Sequence, residues 1–440
     1  MFKKHPFLFG TFLLTLTGLL SRIIGFFYRI FLSKTIGEEG MGIYQLLAPV
    51  MTLSFSLCSA GIQTAVSKYV AGEPTTHDYK TSSRFLLTGL VLSLSLAVPT
   101  AGFLYHNAAL LAGKFLLESR CEPLLRIFAL SIPFAGMHSC INGYYYGIKN
   151  TAVPSAAQLI EQLTRVGSVY LIHAYCVQRN MPVRISVSVI GLTLGEIAAF
   201  AFTLPAILYR FHSLGTRLSF YGGRAFCSCA AKTATLALPL CANRIVLNVL
   251  QSVEAVHIPN RLLLHGLTNE RVLCIYGVLT GMAIPLILFP NTLTGSVSVL
   301  LLPYISESQE SHNDRRLSLA VRRSITGSLL LGFICTAFFF FAGRTLGNIL
   351  FDSVLAGSFI RSMSFICPFL YLGTVLGSIL HGLGKAGTTF LCNSACLLIR
   401  LSFVFLAIPR YGISGYLWGL LLSEILLCLM YLTVLRKWLR

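Results

Sequence analysis

Charge is what this sequence has least of. Only 11% of its 440 residues are charged, and acids are the scarcer kind: 15 Asp and Glu against 34 Lys and Arg. A soluble domain is about one quarter charged and under half apolar. Here 55% of residues are hydrophobic and the mean hydropathy is +0.75. So few charges cannot solvate a 48.2 kDa cytosolic enzyme, and so apolar a chain is not a disordered tail. C-x-x-C, P-loop, H-E-x-x-H and G-x-S-x-G motifs are also missing. The 13 cysteines therefore form no metal or redox pattern, and most sit in apolar runs as small hydrophobes. ATP hydrolysis and hydrolase chemistry lose their signatures. The ten histidines are scattered, with no second His or acid at ligand spacing. No catalytic residue, metal or cofactor is expected.

What the chain does have is long apolar runs, too continuous for the alternation of a membrane β-barrel. The fold class is all-α and polytopic, since each span needs roughly 20 residues. Twelve spans are expected, at 7–32, 41–70, 84–105, 124–147, 153–175, 185–209, 233–251, 272–302, 323–342, 357–381, 387–408 and 413–435. The first follows Lys3 and Lys4 but runs too long, and contains Arg22, so it reads as a retained span rather than a signal peptide. The net charge of +19 reads as basic cytoplasmic loops rather than a nucleic-acid footprint. The loop 210–232 holds Arg210, Arg217, Arg224 and Lys232 without an acid. Both termini are expected on the cytoplasmic side of the cell membrane.

A shift of 235 residues brings Tyr69 onto Tyr304, Pro133 onto Pro368, Gly147 onto Gly382, Arg165 onto Arg400, and Gln158 onto Asn393. Each pair sits at the same point of its span. This predicts a six-helix N-terminal lobe (1–210), a cytoplasmic linker (211–232) and a six-helix C-terminal lobe (233–440). A pseudo-two-fold along the membrane normal and a central cavity would follow.

Arg22, Arg165, Arg244, Arg400, Glu161, Glu196 and Glu424 fall well inside spans. Each would cost roughly 2.5–3.5 kcal/mol facing lipid, so they must face a wet cavity or one another. Gly18, Arg22, Gly25 and Arg29 form one helical stripe without an acid in the span. Such a cationic groove suits an anion, and the planar Arg fork suits phosphate. The bland alternative is that Arg29 snorkels and Arg22 pairs with a distant Glu. Arg244, Asn248 and Gln251 share a face of span 7 and repeat the theme. Glu161 and Arg165 are an i,i+4 pair, for which an ion pair within the helix is natural. Asn393 and Arg400 share a stripe in span 11, where Cys396 stands at the position matching Glu161, so Arg400 has no local partner. Glu196 and Glu424 pair with arginines or carry a coupling proton.

The chain resembles the flippases of the multidrug/oligosaccharidyl-lipid/polysaccharide exporter superfamily. Within it the chain is similar to the stage V sporulation protein B branch of the polysaccharide biosynthesis proteins. The resemblance rests on SRIIGFFYRIFLSKTIGEEGMGIYQL (21–46), AGIQTAVSKYVA (60–71), INGYYYGIKNTAVPSAAQLIEQLTRV (141–166), VEAVHIPNRLLLHGL (253–267), IYGVLTGMAIPLILFPNTLTGSVSVLLLPYISES (275–308) and ILHGLGK (379–385). It implies twelve to fourteen helices, alternating access and a lipid-linked sugar as substrate, such as the undecaprenyl-pyrophosphate peptidoglycan precursor. It places Arg22 and Arg29 in the pattern that related lipid II flippases use in a cationic cavity, seven residues apart where that branch has six. It implies no sodium site like that of some relatives, because span 7 offers Asn243 and no acid, and span 11 offers Asn393. The further C-terminal helix pair of some relatives is not expected.

The sequence therefore reads as a flippase, not an enzyme. Arg22, Arg29, Arg244, Arg400 and Arg165 are the substrate-binding candidates. Glu161, Glu196, Glu424, Asn248 and Asn393 are polar or coupling candidates. Expected partners are a lipid-linked glycan precursor, membrane lipids and cell-wall synthesis enzymes, with no nucleic acid. The alternative is a drug or cation antiporter of the same fold.

Overall fold

The computed structural model describes residues 6–72, 79–215, 222–310 and 314–438. Among them the regular structure is helical throughout, with no strand. This is the outcome the bilayer imposes, because a helix satisfies its own backbone groups where no water is available.

The helices in chain order are α1 (Pro6–Leu46), α2 (Ala48–Phe55), α3 (Gly61–Ala71), α4 (Tyr79–His106), α5 (Glu122–Ala129), α6 (Ile132–Gly147), α7 (Ala152–Gln178), α8 (Ser186–Ser213) and α9 (Gly223–Leu264). They continue as α10 (Asn269–Gly277), α11 (Ile284–Leu288), α12 (Asn291–Glu310), α13 (Asp314–Phe351), α14 (Val354–Met363), α15 (Cys367–Gly382), α16 (Ala386–Leu406) and α17 (Ile413–Trp438). Wide π-turns at Ser56–Ala60 and Val278–Ala283 join α2 to α3 and α10 to α11.

Nine helical stretches among the described residues are long and apolar enough to cross a membrane, or ten with the pair Ser119–Ala129 and Ile132–Gly147, bent by 46°. The protein is a multi-pass membrane protein. The count differs from twelve for two physical reasons. Leu13–Ala71 runs as one stretch of 59 residues and holds two expected spans. The 27-residue α7 matches the fifth, but Gln158, Glu161, Gln162 and Arg165 make it too polar to pass by composition.

The internal repeat is visible in the helix boundaries. Helices α6 and α15 both have 16 residues, both carry proline in the first turn, and both their ends differ by 235. Proline fits there because the first-turn N–H has no helical partner.

Contacts gather the chain into two units. One takes the chain up to Tyr28 together with Leu46–Ser252, and the other takes Arg29–Gln45 together with the chain from Val253. The three cuts, after Tyr28, Gln45 and Ser252, all fall inside a helix. In the first unit, Gly61 presses against Ala237 and Cys241, and a methyl there would overlap both. Tyr69 Oη donates to the Lys232 carbonyl at 3.0 Å, and Asn248 Nδ2 donates to Ser56 Oγ. The first part of α9 thus packs with α3. In the second unit, Gly42 and Gly277 lie backbone to backbone, where no side chain fits. Lys34 Nζ lies 3.4 Å from Asp352. The end of α1 thus packs with α10 and α13. Gly37, with φ 71° inside α1, adopts the left-handed conformation that glycine alone reaches cheaply. Arg217 and residues 216–221 of the expected linker lie outside the described residues, as do Lys3 and Lys4.

Candidate functional site

The in-span charges separate into paired and unpaired sets. In the first unit, α6, α7 and α8 bring four ionisable groups together. Glycines at the α7–α8 contact make this possible: a methyl at Gly191 would strike Val169, and one at Gly195 would lie 2.9 Å from the Glu161 carbonyl. With the helices this close, Glu196 reaches across to α7. Arg165 Nη2 donates to Glu161 Oε1 at 2.6 Å and lies 3.8 Å from Glu196 Oε1. His138 Nε2 donates to Glu196 Oε2 at 2.8 Å. On the other side of the ring, Asn142 Nδ2 donates to His138 Nδ1 at 3.5 Å. The side chains of Glu161 and Arg165 are each 17% exposed, that of His138 13% and that of Glu196 8%.

The ion pair of Glu161 with Arg165 was legible from its i,i+4 spacing. The pairing of His138 with Glu196 corrects the expectation that no histidine lies near an acid. The two are 58 residues apart, and only packing joins them. Ligand atoms of His138, Glu161 and Glu196 lie within 4.8 Å of one another. The Arg165 guanidinium already occupies the cation position among them, so the group reads as a charge cluster and not as a metal centre.

In the second unit, Arg400 is held by a partner the sequence reading missed. Its Nη2 donates to Glu254 Oε2 at 2.7 Å, its Nε lies 2.5 Å from Oε1, and Tyr416 Oη donates to Glu254 Oε1 at 2.9 Å. The expectation of no local partner for Arg400 is true only within its own helix. Span 7 was expected to stop at 251, but α9 continues to Leu264 and carries the buried Glu254 inside. The segment VEAVHIPNRLLL is too polar to read as membrane-embedded, yet it is helical throughout. An acid therefore does lie in that helix, and Arg400 and Tyr416 already engage it.

Glu424 and Asn393 line one cavity of about 540 Å³ in this unit, with Asn291, Thr374, His381 and Tyr431. Asn393 Nδ2 donates to Tyr431 Oη at 3.0 Å. No described residue donates a hydrogen bond to Glu424.

The remaining arginine candidates are exposed. Arg22 has no ion-pair partner among the described residues, and the Cβ positions of Gly18 and Gly25 beside it face open space. Arg244 is likewise exposed without an ion-pair partner among the described residues. Arg29 is exposed and belongs with the second unit, whereas Arg22 and Arg244 belong with the first. Asn248 is engaged by Ser56 and not by a ligand-facing group.

Known proteins share both the sequence and the fold. Stage V sporulation protein B of Bacillus subtilis (strain 168) is 26% identical over 99% of this chain and 84% of its own length. The lipid II flippase MurJ of the same organism is 28% identical over 36% of this chain and 30% of its own. Among solved structures, a lipid II flippase MurJ in an inward closed conformation matches with a TM-score of 0.75 at 15% identity, covering 97% of this chain and 87% of that one. An inward-facing multidrug resistance MATE transporter of the MOP superfamily matches with a TM-score of 0.74 at 14% identity, over 95% and 94%. The fold is thus that of helical membrane transporters. A family model described as polysaccharide biosynthesis protein matches residues 7–309, and the chain belongs to that family.

Proposed function

We propose that the protein is a flippase that carries a lipid-linked sugar with an anionic head, of the undecaprenyl-pyrophosphate type, to the outer leaflet by alternating access. The carrying observation is the division among the in-span arginines. Arg165 and Arg400 are neutralised by Glu161 and Glu254, while Arg22 and Arg244 have no ion-pair partner among the described residues. A cationic cargo would be repelled by the unpaired pair, and a pyrophosphate would be attracted. The family description and the name of the lipid II relative support the same cargo class. A membrane potential negative inside drives an anion outward at about 2.3 kcal/mol per charge per 100 mV, so the direction needs no ATP.

The test is translocation of lipid-linked sugars in liposomes, scored by headgroup accessibility on the far leaflet. Arg22→Ala is expected to abolish translocation while the melting temperature stays near wild type. Arg22→Lys restores part of it, keeping charge but losing the two-pronged geometry. Arg22→Glu is worse than Ala. Lost folding with intact flipping per folded molecule would sink the anion-site reading.

One observation favours a second reading, a cation or drug antiporter: the Glu424 carboxylate opens into the cavity of the second unit. Thermal stabilisation by cationic dyes but not by lipid II would select it.

A further inference from the structure

We propose that His138 is an exchangeable proton site, and that its proton is moved as part of transport. The second half rests on the transport reading above; the first does not.

Charge bookkeeping gives the initial reason. With both carboxylates ionised, Arg165 charged and His138 neutral, the cluster of Glu161, Glu196, Arg165 and His138 carries one net negative charge. A net charge inside a membrane span is costly. One added proton brings the cluster to neutrality. A divalent metal beside Arg165 would overshoot to a net positive charge, so the cluster is matched to a single monovalent positive charge. The 2.8 Å separation of His138 Nε2 from Glu196 Oε2 is a hydrogen-bond distance, with room for a proton and nothing larger.

Asn142 supplies an independent reason. Its Nδ2 faces His138 Nδ1 at 3.5 Å, an arrangement that suits the neutral ring with Nδ1 as acceptor. In this arrangement the Asn142 Oδ1 is buried with no hydrogen-bond partner. A buried carbonyl left unpaired costs about 1–3 kcal/mol. Protonation of Nδ1 turns the ring into a double donor. A half-turn of the Asn142 amide then presents Oδ1 to the new N–H. The half-turn gives Oδ1 an N–H partner and releases Nδ2 from its long 3.5 Å contact, while Glu196 holds the imidazolium from the other side.

Helix α7 presents Glu161 and Arg165, and α8 presents Glu196. Helices α3 and α4 present Gln63, which accepts from Ser139, and Ser93, beside Gly136; neither titrates. The π-turn at Ser56–Ala60 brings in Cys58, a buried thiol whose carbonyl accepts from Ser93 and lies beside Gly136. Glu161 and Arg165 are each 17% exposed, so the cluster is not sealed within the packed helices. The step involves no covalent change: a proton from water binds Nδ1, and it leaves to water again when the ring returns to neutral.

The test uses the full-length protein in lipid nanodiscs with isotope-labelled histidine, followed by infrared difference spectroscopy across pH 5–8. One imidazole-to-imidazolium transition is expected to vanish in His138→Gln, to change in Glu196→Gln and to stay in His106→Gln, which removes an exposed histidine at the end of α4. Asn142→Leu keeps the Glu196 contact and is expected to weaken proton uptake, which covers the case in which His138→Gln fails to fold. Histidine bands unchanged in His138→Gln, or a titration indifferent to Asn142→Leu, would overturn the proton site. The liposome assay is then run with and without an imposed proton gradient. Wild-type flux responds to the gradient, and His138→Gln loses the response. A wild-type flux indifferent to the gradient overturns the coupling. If no lipid-linked sugar is moved at all, the transport reading fails, while the spectra still judge the proton site.

Discussion

The two units use one frame to hold charge in opposite ways. The 235-residue offset sets His138, Glu161 and Arg165 opposite Gly373, Cys396 and Arg400. Helices α8 and α17 are related by a shorter offset, chiefly because α16 has 21 residues where α7 has 27. Gly191 meets the α7 face at Ser168 and Val169, and Gly419 meets Phe403, the counterpart of Ser168. That alignment sets Glu196 opposite Glu424. Each unit thus places one arginine and one glutamate at matched points. The first adds a histidine and a second acid on the neighbouring helices. The second has glycine and cysteine at those points and takes Glu254 from α9 instead. The lesson is that the arginine and the acid of α8 or α17 are the constant parts, and their partners decide what each cluster does. In the second unit Arg400 and Tyr416 hold Glu254, and Glu424 is left without a hydrogen bond from any described residue. In the first unit both carboxylates are engaged, Glu161 by Arg165 and Glu196 by His138.

Removing partners should break this contrast in order of size. Glu254→Ala leaves the Arg400 guanidinium buried and unpaired, and a destabilisation of about 3–5 kcal/mol is expected, read from thermal unfolding in detergent. Equal melting of variant and wild type would mean the pair is not structural. Glu161→Gln should cost less, about 1–3 kcal/mol, because Arg165 retains Glu196 at 3.8 Å. A loss as large as that of Glu254→Ala would show that the two clusters are equally closed.

The smallest effect sharpens the comparison instead. A Cβ at Gly373 would meet only ordinary contacts, with Glu424 Oε2 at 3.9 Å. Gly373→Ala should therefore fold normally and gain up to about 1 kcal/mol from helix propensity. Gly373→His should place a ring beside Glu424 and introduce a histidine titration absent from the wild type. Its absence, in a folded variant, would show that the two frames do not match at this point.

Much of this was legible in the sequence, and the limits have a physical cause. Apolar runs marked the membrane helices, since the bilayer leaves no other backbone solution. The repeat was legible because Pro133 and Pro368 open helices of equal length. The pair Glu161 and Arg165 was legible because a helix fixes i,i+4 neighbours. His138 with Glu196, and Arg400 with Glu254, were not, because packing alone brings together residues 58 and 146 apart in the chain. The change of company within α9 was legible only in part: the polar run VEAVHIPNRLLL begins where the helix passes from one unit to the other, but a polar run does not say whether the helix stops or continues.

That exchange has a consequence for synthesis. The segment Arg29–Gln45 leaves the ribosome early, but the α10 surface against which Gly42 packs is made more than 200 residues later. At about 5–20 residues per second, the close glycine contact waits on the order of ten to fifty seconds for its partner. The same delay applies in reverse to the first unit, which is incomplete until the opening turns of α9 arrive. Neither half of the gene encodes a finished unit, so the end of α1 waits in the membrane while α3, α4 and α6 already pack on one another, and completion of both units is fixed as a late event.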